Sequence, residues 1–148
     1  MTLENVSQTL PLIDRQIASR REAFAFWMTY GADDDCYEGT DAEVADAFKR
    51  LGNFYEYGLE IAFEPANETE DGHFRYLLST GDPHEELRFF PCGRIEFVSK
   101  PWFQFHRQDV TSDKVFCWVR DYLTDISCLD FEAHDGELYH WEPEDEDE

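Results

Sequence analysis

Apolar residues first recur along this chain at helical spacing. Leu10, Ile13, Ile17, Phe24, Trp27 and Met28 are separated by steps that keep them on one stripe, which predicts a helix from about Pro11 to Tyr30. Pro11 falls in the first turn, where a missing N–H costs nothing, and Gly31 closes the helix. Ala32-Asp33-Asp34-Asp35 follows as an acidic loop, because like charges discourage regular structure. Thr40-Asp41-Ala42-Glu43 then reads as a capping box with the Thr40 hydroxyl as cap. Val44, Phe48, Leu51 and Tyr55 share a face of the helix it starts, which is expected to end near Gly58.

In the middle of the chain the period changes from helical to alternating. Leu59, Ile61 and Phe63 fall on alternate positions, as do Phe74, Tyr76 and Leu78, Leu87 and Phe89, Ile95 and Phe97, and Phe103 and Phe105. Turn residues separate these runs at 67–72, 81–83, 91–93 and 99–101, and such short connections favour antiparallel neighbours. Thr111-Ser112-Asp113 offers a cap for a third helix striped by Val115, Trp118, Val119, Tyr122, Leu123 and Ile126. The expected fold is therefore α+β: an antiparallel meander of about four to five strands with helices packed on one face. Residues 1–129 form a single domain in this reading. Residues 130–148 form an acidic C-terminal extension, whose first half Leu138, Tyr139 and Trp141 can pin to the domain.

Composition adds one fact that the periodicity does not contain. The 148 residues carry 34 Asp and Glu against 12 Lys and Arg, a formal net charge of -22, well outside the roughly 2 to 8 usual for a small domain. With 13 Phe, 7 Tyr and 4 Trp to fill a core, the chain still folds. The charge is gathered into blocks. Glu22 to Asp46 holds eight acids and no Lys or Arg, and Asp121 to Glu148 holds twelve acids and again no base. A surface this negative repels phosphates, so neither direct nucleic-acid binding nor an anionic membrane is expected. Basic proteins and divalent cations are the favoured partners. Salt adaptation also gives acidic proteins, and the chain has only three lysines, but that adaptation spreads charge over the whole surface rather than into blocks.

Candidate chemistry is sparse. No run of about 18 apolar residues exists, and the opening MTLENVSQTLPLIDRQ lacks the basic start and apolar stretch of a signal peptide, so a cytoplasmic protein with reduced thiols at Cys36, Cys92, Cys117 and Cys128 is expected. The histidines form no compact ligand motif. His134, Asp135, Glu137 and His140, near Cys128, make the densest group and leave a metal-dependent hydrolase as one alternative. Asp33-Asp34-Asp35 with Glu38 lacks the ligand ladder of a calcium loop. There is no P-loop, no GxGxxG and no GxSxG. The expectation is no enzyme, no metal and no cofactor. Phe89-Phe90 and Trp102-Phe103 place neighbours on opposite faces of a strand, so one of each pair faces away from a one-sided core; a protein-binding adaptor using such aromatics is the other alternative, and a homodimer stays open.

The stretch from Phe74 to Phe90, with Tyr76-Leu77-Leu78-Ser79-Thr80-Gly81-Asp82-Pro83 and Glu86-Leu87-Arg88-Phe89-Phe90, resembles a loosely defined group of small acidic proteins often borne on plasmids or phages. They share a YLLSTGGP-like turn, an E-(F/L)-R-F-(F/Y) strand and a later Trp-Phe pair, here Trp102-Phe103. The segment Phe54 to Leu59 is also similar, and Asp82 stands where a second Gly is common. No activity or functional residue carries over from the group. The resemblance implies a context, counter-defence, in which some small acidic proteins imitate DNA and block restriction enzymes or CRISPR effector complexes. Carboxylates on a rigid surface can present a potential like that of a duplex, one charge per ~1.7 Å of axis. Together these readings give an expected inhibitor that occupies a basic nucleic-acid-binding protein or complex through Asp33, Asp34, Asp35, Glu38 and Asp41 and through Glu144, Asp145, Glu146, Asp147 and Glu148.

Overall fold

The computed structural model describes residues 11–81 and 83–140. Helix α1 runs over Leu12–Tyr30 and turns Ile17, Ala23, Phe24 and Trp27 inward. Gly31 ends it at φ 111°, a left-handed conformation that an L side chain rarely adopts. Helix α2, Ala42–Leu51, starts one residue later than its capping box suggests: the cap is Asp41, whose carboxylate accepts the Glu43 N–H at 2.8 Å, rather than Thr40. It also stops sooner. Gly52 takes φ 79° and its carbonyl accepts the Trp27 indole N–H at 3.2 Å, so the chain breaks before a one-turn helix α3, Phe54–Tyr57.

Five strands follow: β1 Glu60–Glu64, β2 His73–Ser79, β3 His84–Phe89, β4 Ile95–Lys100 and β5 His106–Asp109. They form one sheet in the order β1-β2-β3-β4-β5, each pairing antiparallel with its chain neighbour. Register aligns Phe63, Phe74, Phe89 and Ile95 in one cross-strand row and Ile61, Tyr76, Leu87 and Phe97 in the next. These two rows carry the core side of the sheet, because successive side chains of a strand alternate faces. Helix α4, Lys114–Asp125, is capped by Asp113, which accepts the Val115 N–H at 2.9 Å, and buries Val115, Phe116, Val119 and Leu123. Thr111 serves β4 instead, its hydroxyl accepting the Ile95 N–H at 2.9 Å. Helices α1 and α4 pack with this side of the sheet in one aromatic-rich core, giving an α+β fold.

The alternation of Phe103 and Phe105 does not mark a strand. The Gln104 N–H bonds back to the Pro101 carbonyl at 2.9 Å, and Trp102 sits at φ 55°. A turn therefore occupies 101–104 and β5 begins at His106. Both aromatics of this pair face solvent, Trp102 at 80% exposure and Phe103 completely, whereas Phe89 and Phe90 are both buried. The expectation of one ring toward the core and one away fails for Trp102 and Phe103, while Phe89 joins the core and Phe90 faces away from it, buried against His73 at 5.0 Å. Phe90 lies just beyond β3 and is covered by the Arg94 guanidinium, 4.1 Å from its ring centre.

Residues 130–140 dock on the sheet. A short 3-10 turn, Phe131–His134, sets the Phe131 ring edge-on to Phe74 at 5.0 Å and stacks His134 flat on Phe63 at 3.8 Å. The Ala66 N–H donates to the Glu137 carbonyl at 2.9 Å and the Gly72 N–H to the Leu138 carbonyl at 2.7 Å. A Cβ on Gly72 would lie 2.5 Å from the Glu137 carbonyl oxygen and 2.9 Å from the Leu138 Cα. Gly72→Ala is accordingly expected to undock this segment while leaving the helix–sheet core in place. Hydrogen exchange checks it: the Ala66 and Gly72 amides should lose protection, and unchanged protection would show that the segment shifts without detaching.

Candidate functional site

The acids from Asp33 to Asp41 share the connection between α1 and α2. Tyr37 is the peg that fixes this connection: its ring meets Tyr30 edge-on at 5.8 Å and Phe48 at 6.0 Å, and its hydroxyl accepts the Asp41 N–H at 3.2 Å. Two further bonds tie the connection to the start of α3, Asp34 N–H to the Asn53 side chain at 3.2 Å and Phe54 N–H to the Ala32 carbonyl at 2.8 Å. A tethered backbone of this kind turns the polar side chains outward. Asp34, Asp35, Glu38 and Asp41 are exposed, Asp33 is half-buried, and one carboxylate oxygen from each of Asp33, Asp34 and Asp35 lies within 4.8 Å of the others. Among the described residues, Asp34, Asp35, Glu38 and Asp41 make no ion pair, and neither do the exposed Glu43 and Asp46 of α2.

Most of the arginines are engaged elsewhere. Arg20 pairs with Glu85 at 2.9 Å and Arg21 with Asp113 at 2.6 Å, while Arg75, Arg88, Arg94, Lys100 and Arg107 all face carboxylates across the sheet. Among the described residues, Asp34, Asp35, Glu38 and Asp41 thus form an acidic run without ion pairs beside a scaffold whose own charges are largely matched, with the exposed Lys49 and Arg50 at the far end of α2. Of the other expected site residues, Glu144, Asp145, Glu146, Asp147 and Glu148 lie outside the described residues, as does Trp141. Further acids of the second block, Asp121, Asp125, Asp130, Glu132, Asp135 and Glu137, are exposed between α4 and the docked segment.

Within the histidine-rich group, His134 is used for packing. His134 stacks on Phe63 and lies 3.3 Å from Glu137 through Nδ1. Among the described residues, Asp33, Asp34 and Asp35 are the one set of three or more candidate metal ligands brought close together. Cys92, Cys117 and Cys128 are free thiols, Cys117 donating to the Thr111 carbonyl at 2.9 Å.

A second site lies on the sheet face away from the helices, and reading the apolar half of each strand missed it. Register places Arg75, Arg88, Glu96 and Asp109 in one cross-strand row and Leu77, Glu86, Val98 and Arg107 in the adjacent one. The signal was present as the charged residues alternating with the apolar ones, Arg75, Glu86, Arg88 and Glu96. Glu86 is fully buried; it accepts Arg88 Nε–H at 2.6 Å and His84 Nε2–H at 2.6 Å, with Lys100 Nζ 3.9 Å away. Burial pushes its pKa up, but the Arg88 and His84 hydrogen bonds outweigh that and hold it below the usual carboxylate range. Glu70, from the β1–β2 connection, reaches over this face to Arg107 at 2.6 Å and Arg88 at 3.5 Å, and those arginines likewise overcome its burial and lower its pKa. His73 is buried, with Nδ1 2.9 Å from the Asp71 carbonyl; burial first, then the charge of Arg88, keeps its pKa below the ordinary histidine value. A cavity of about 470 Å³ opens among these groups, rimmed by Asn67, Thr69 and Phe105.

The chain matches no protein-family model, and no curated protein or solved structure matches it. Among the described residues, no helix is long and apolar enough to cross a membrane.

Proposed function

We propose that this protein is a non-enzymatic acidic inhibitor that imitates nucleic acid and occupies a basic nucleic-acid-binding surface on a defence complex, of the restriction or CRISPR kind that the sequence resemblance implies, or on another DNA-processing protein. One observation supports this reading above the rest: among the described residues, the exposed Asp34, Asp35, Glu38 and Asp41 make no ion pair on a tethered connection, while most of the arginines pair with carboxylates elsewhere. Fixed carboxylates form charge-assisted bonds with Arg and Lys and steer a basic partner during encounter. Their tethering limits the ordering entropy that flexible acids would lose on binding.

The test captures partners from host lysate, then measures displacement of duplex DNA from them by wild type and by a variant carrying Asp33→Asn, Asp34→Asn, Asp35→Asn, Glu38→Gln and Asp41→Asn. Asn retains the capping role at position 41, so the fold is preserved. At roughly 0.2–1 kcal/mol for each exposed pair, the variant is expected to bind about 5- to 5000-fold more weakly, with a shallower salt dependence. Equal affinity for wild type and variant removes the reading. The exposed Trp102 and Phe103 favour the adaptor alternative; that alternative wins if Phe103→Ala abolishes capture and the acid variant does not.

A further inference from the structure

Arg75 of β2 stands directly opposite Arg88 of β3 on the open face of the sheet, and like charges so placed destabilise a sheet unless something answers them. Arg88 has its answer in Glu86 at 2.6 Å. Arg75 does not. Its Nη2 lies 3.4 Å from Glu60 and 3.7 Å from Glu64, both long for hydrogen bonds, and its Nε is buried with no acceptor among the described residues. A guanidinium cannot relieve this by losing its proton, so an unfilled donor persists in a side chain that also lines a cavity of about 470 Å³.

The rest of that cavity has complementary features. Lys100, on β4, is 3.9 Å from Glu86, beyond hydrogen-bond reach, and leaves donor capacity free. Phe105 lays its ring 5.5 Å from the Arg88 guanidinium and 5.8 Å from the Lys100 ammonium, an apolar shelf beside cations. His73 directs Nδ1 to the Asp71 carbonyl, which leaves Nε2 as an acceptor in the neutral ring. We propose that this cavity binds a small molecule bearing a carboxylate or phosphate, with Arg75 as the residue that grips the anionic group. Its volume lies in the range of small-ligand sites. A polymer of phosphates is the wrong occupant, because the net charge of -22 repels a long polyanion, whereas a single anionic group meets the local field, in which Arg75, Arg88, Lys100 and Arg107 stand against Glu64, Glu70 and Glu86.

This site is independent of the acidic surface and its test does not use the macromolecular partner. Inorganic phosphate, acetate and chloride are titrated at constant ionic strength and pH 7 into wild-type protein, following the Arg75 Nε–Hε resonance by NMR. Phosphate or acetate is expected to shift that resonance saturably, with half-saturation on the order of 1 mM, as ligands of a few heavy atoms allow. Saturation by phosphate alone identifies a phosphate-bearing ligand, and saturation by acetate alone a carboxylate. Arg75→Gln should lose saturable binding, read on neighbouring backbone amides, while melting no lower than wild type because the like-charged pair is gone. The five-acid variant should titrate as wild type does. Shifts that stay linear and equal for all three anions overturn the proposal, as does an Arg75→Gln protein that binds unchanged; should that variant fail to fold, the wild-type titration alone decides.

Discussion

Phe24→Ala is expected to lower the stability by about 4 kcal/mol, within the ~3–5 kcal/mol that a fully buried Phe costs when truncated. Phe24 is completely buried and links every layer of the fold. Its ring lies 6.1 Å from Trp27 in α1, 6.0 Å from Phe54 in α3, 6.2 Å from Tyr76 in β2 and 6.1 Å from Phe116 in α4. No single one of these elements can move into the vacated space without losing contact with the others, so the cavity stays open and the cavity cost adds to the lost transfer energy. Urea unfolding measures the difference. Phe103→Ala, at a fully exposed site, is the control and should change stability by no more than about 0.5 kcal/mol. A Phe24→Ala loss below about 2 kcal/mol would show that the aromatic layer repacks.

Glu86→Gln should carry the next largest cost, about 3 kcal/mol at neutral pH, because breaking a buried charge pair leaves the remaining partners unanswered. Its pH dependence has a definite sign. The folded pKa of Glu86 is depressed below 4.5 by Arg88 and His84 against the opposing effect of burial, so its stabilisation is present above the unfolded pKa and is lost as pH falls through the folded one. Glu70 contributes with the same sign. His73, lowered from 6.5, also favours the folded state at higher pH, since the unfolded chain takes up that proton first. Urea midpoints of wild type and Glu86→Gln should therefore lie far apart at pH 7 and converge below about pH 4, while His73 acts on both proteins alike. A gap that is independent of pH would mean that Glu86 is held by shape rather than by charge.

Much of the architecture was legible because local patterns and tertiary packing agree. The switch from helical to alternating period marks where α3 gives way to β1, and short turns between strands leave the meander as the natural topology. Boundaries were less legible where two local options compete: Thr40 and Asp41 can each cap α2, and the carboxylate does so. Gly52 breaks a continuous apolar stripe because the Trp27 indole claims its carbonyl. Phe103 and Phe105 imitate strand alternation, yet the turn after Pro101 moves β5 to His106. Of the candidate site, the run Asp33 to Asp41 reads directly from sequence as exposed acid. The charged cavity does not, since the opposition of Arg75 and Arg88 depends on inter-strand register, and Glu70 arrives from a connection that no strand pattern includes.

The meander also orders events in time. Every strand pairs with its chain neighbour, so the sheet can assemble hairpin by hairpin without closing a long loop. Helix α1 is in the opposite position: its ties run to Glu85, 65 residues on, and to Asp113, 92 residues on. On a ribosome it emerges several seconds before β4 exists, at about 5–20 residues per second. Through that interval the stripe of Ile17, Phe24 and Trp27 lacks the complete sheet that covers it in the folded protein. The nascent chain's adhesive surface is thus its first helix, a sticky apolar ridge made well before the acidic exterior is complete.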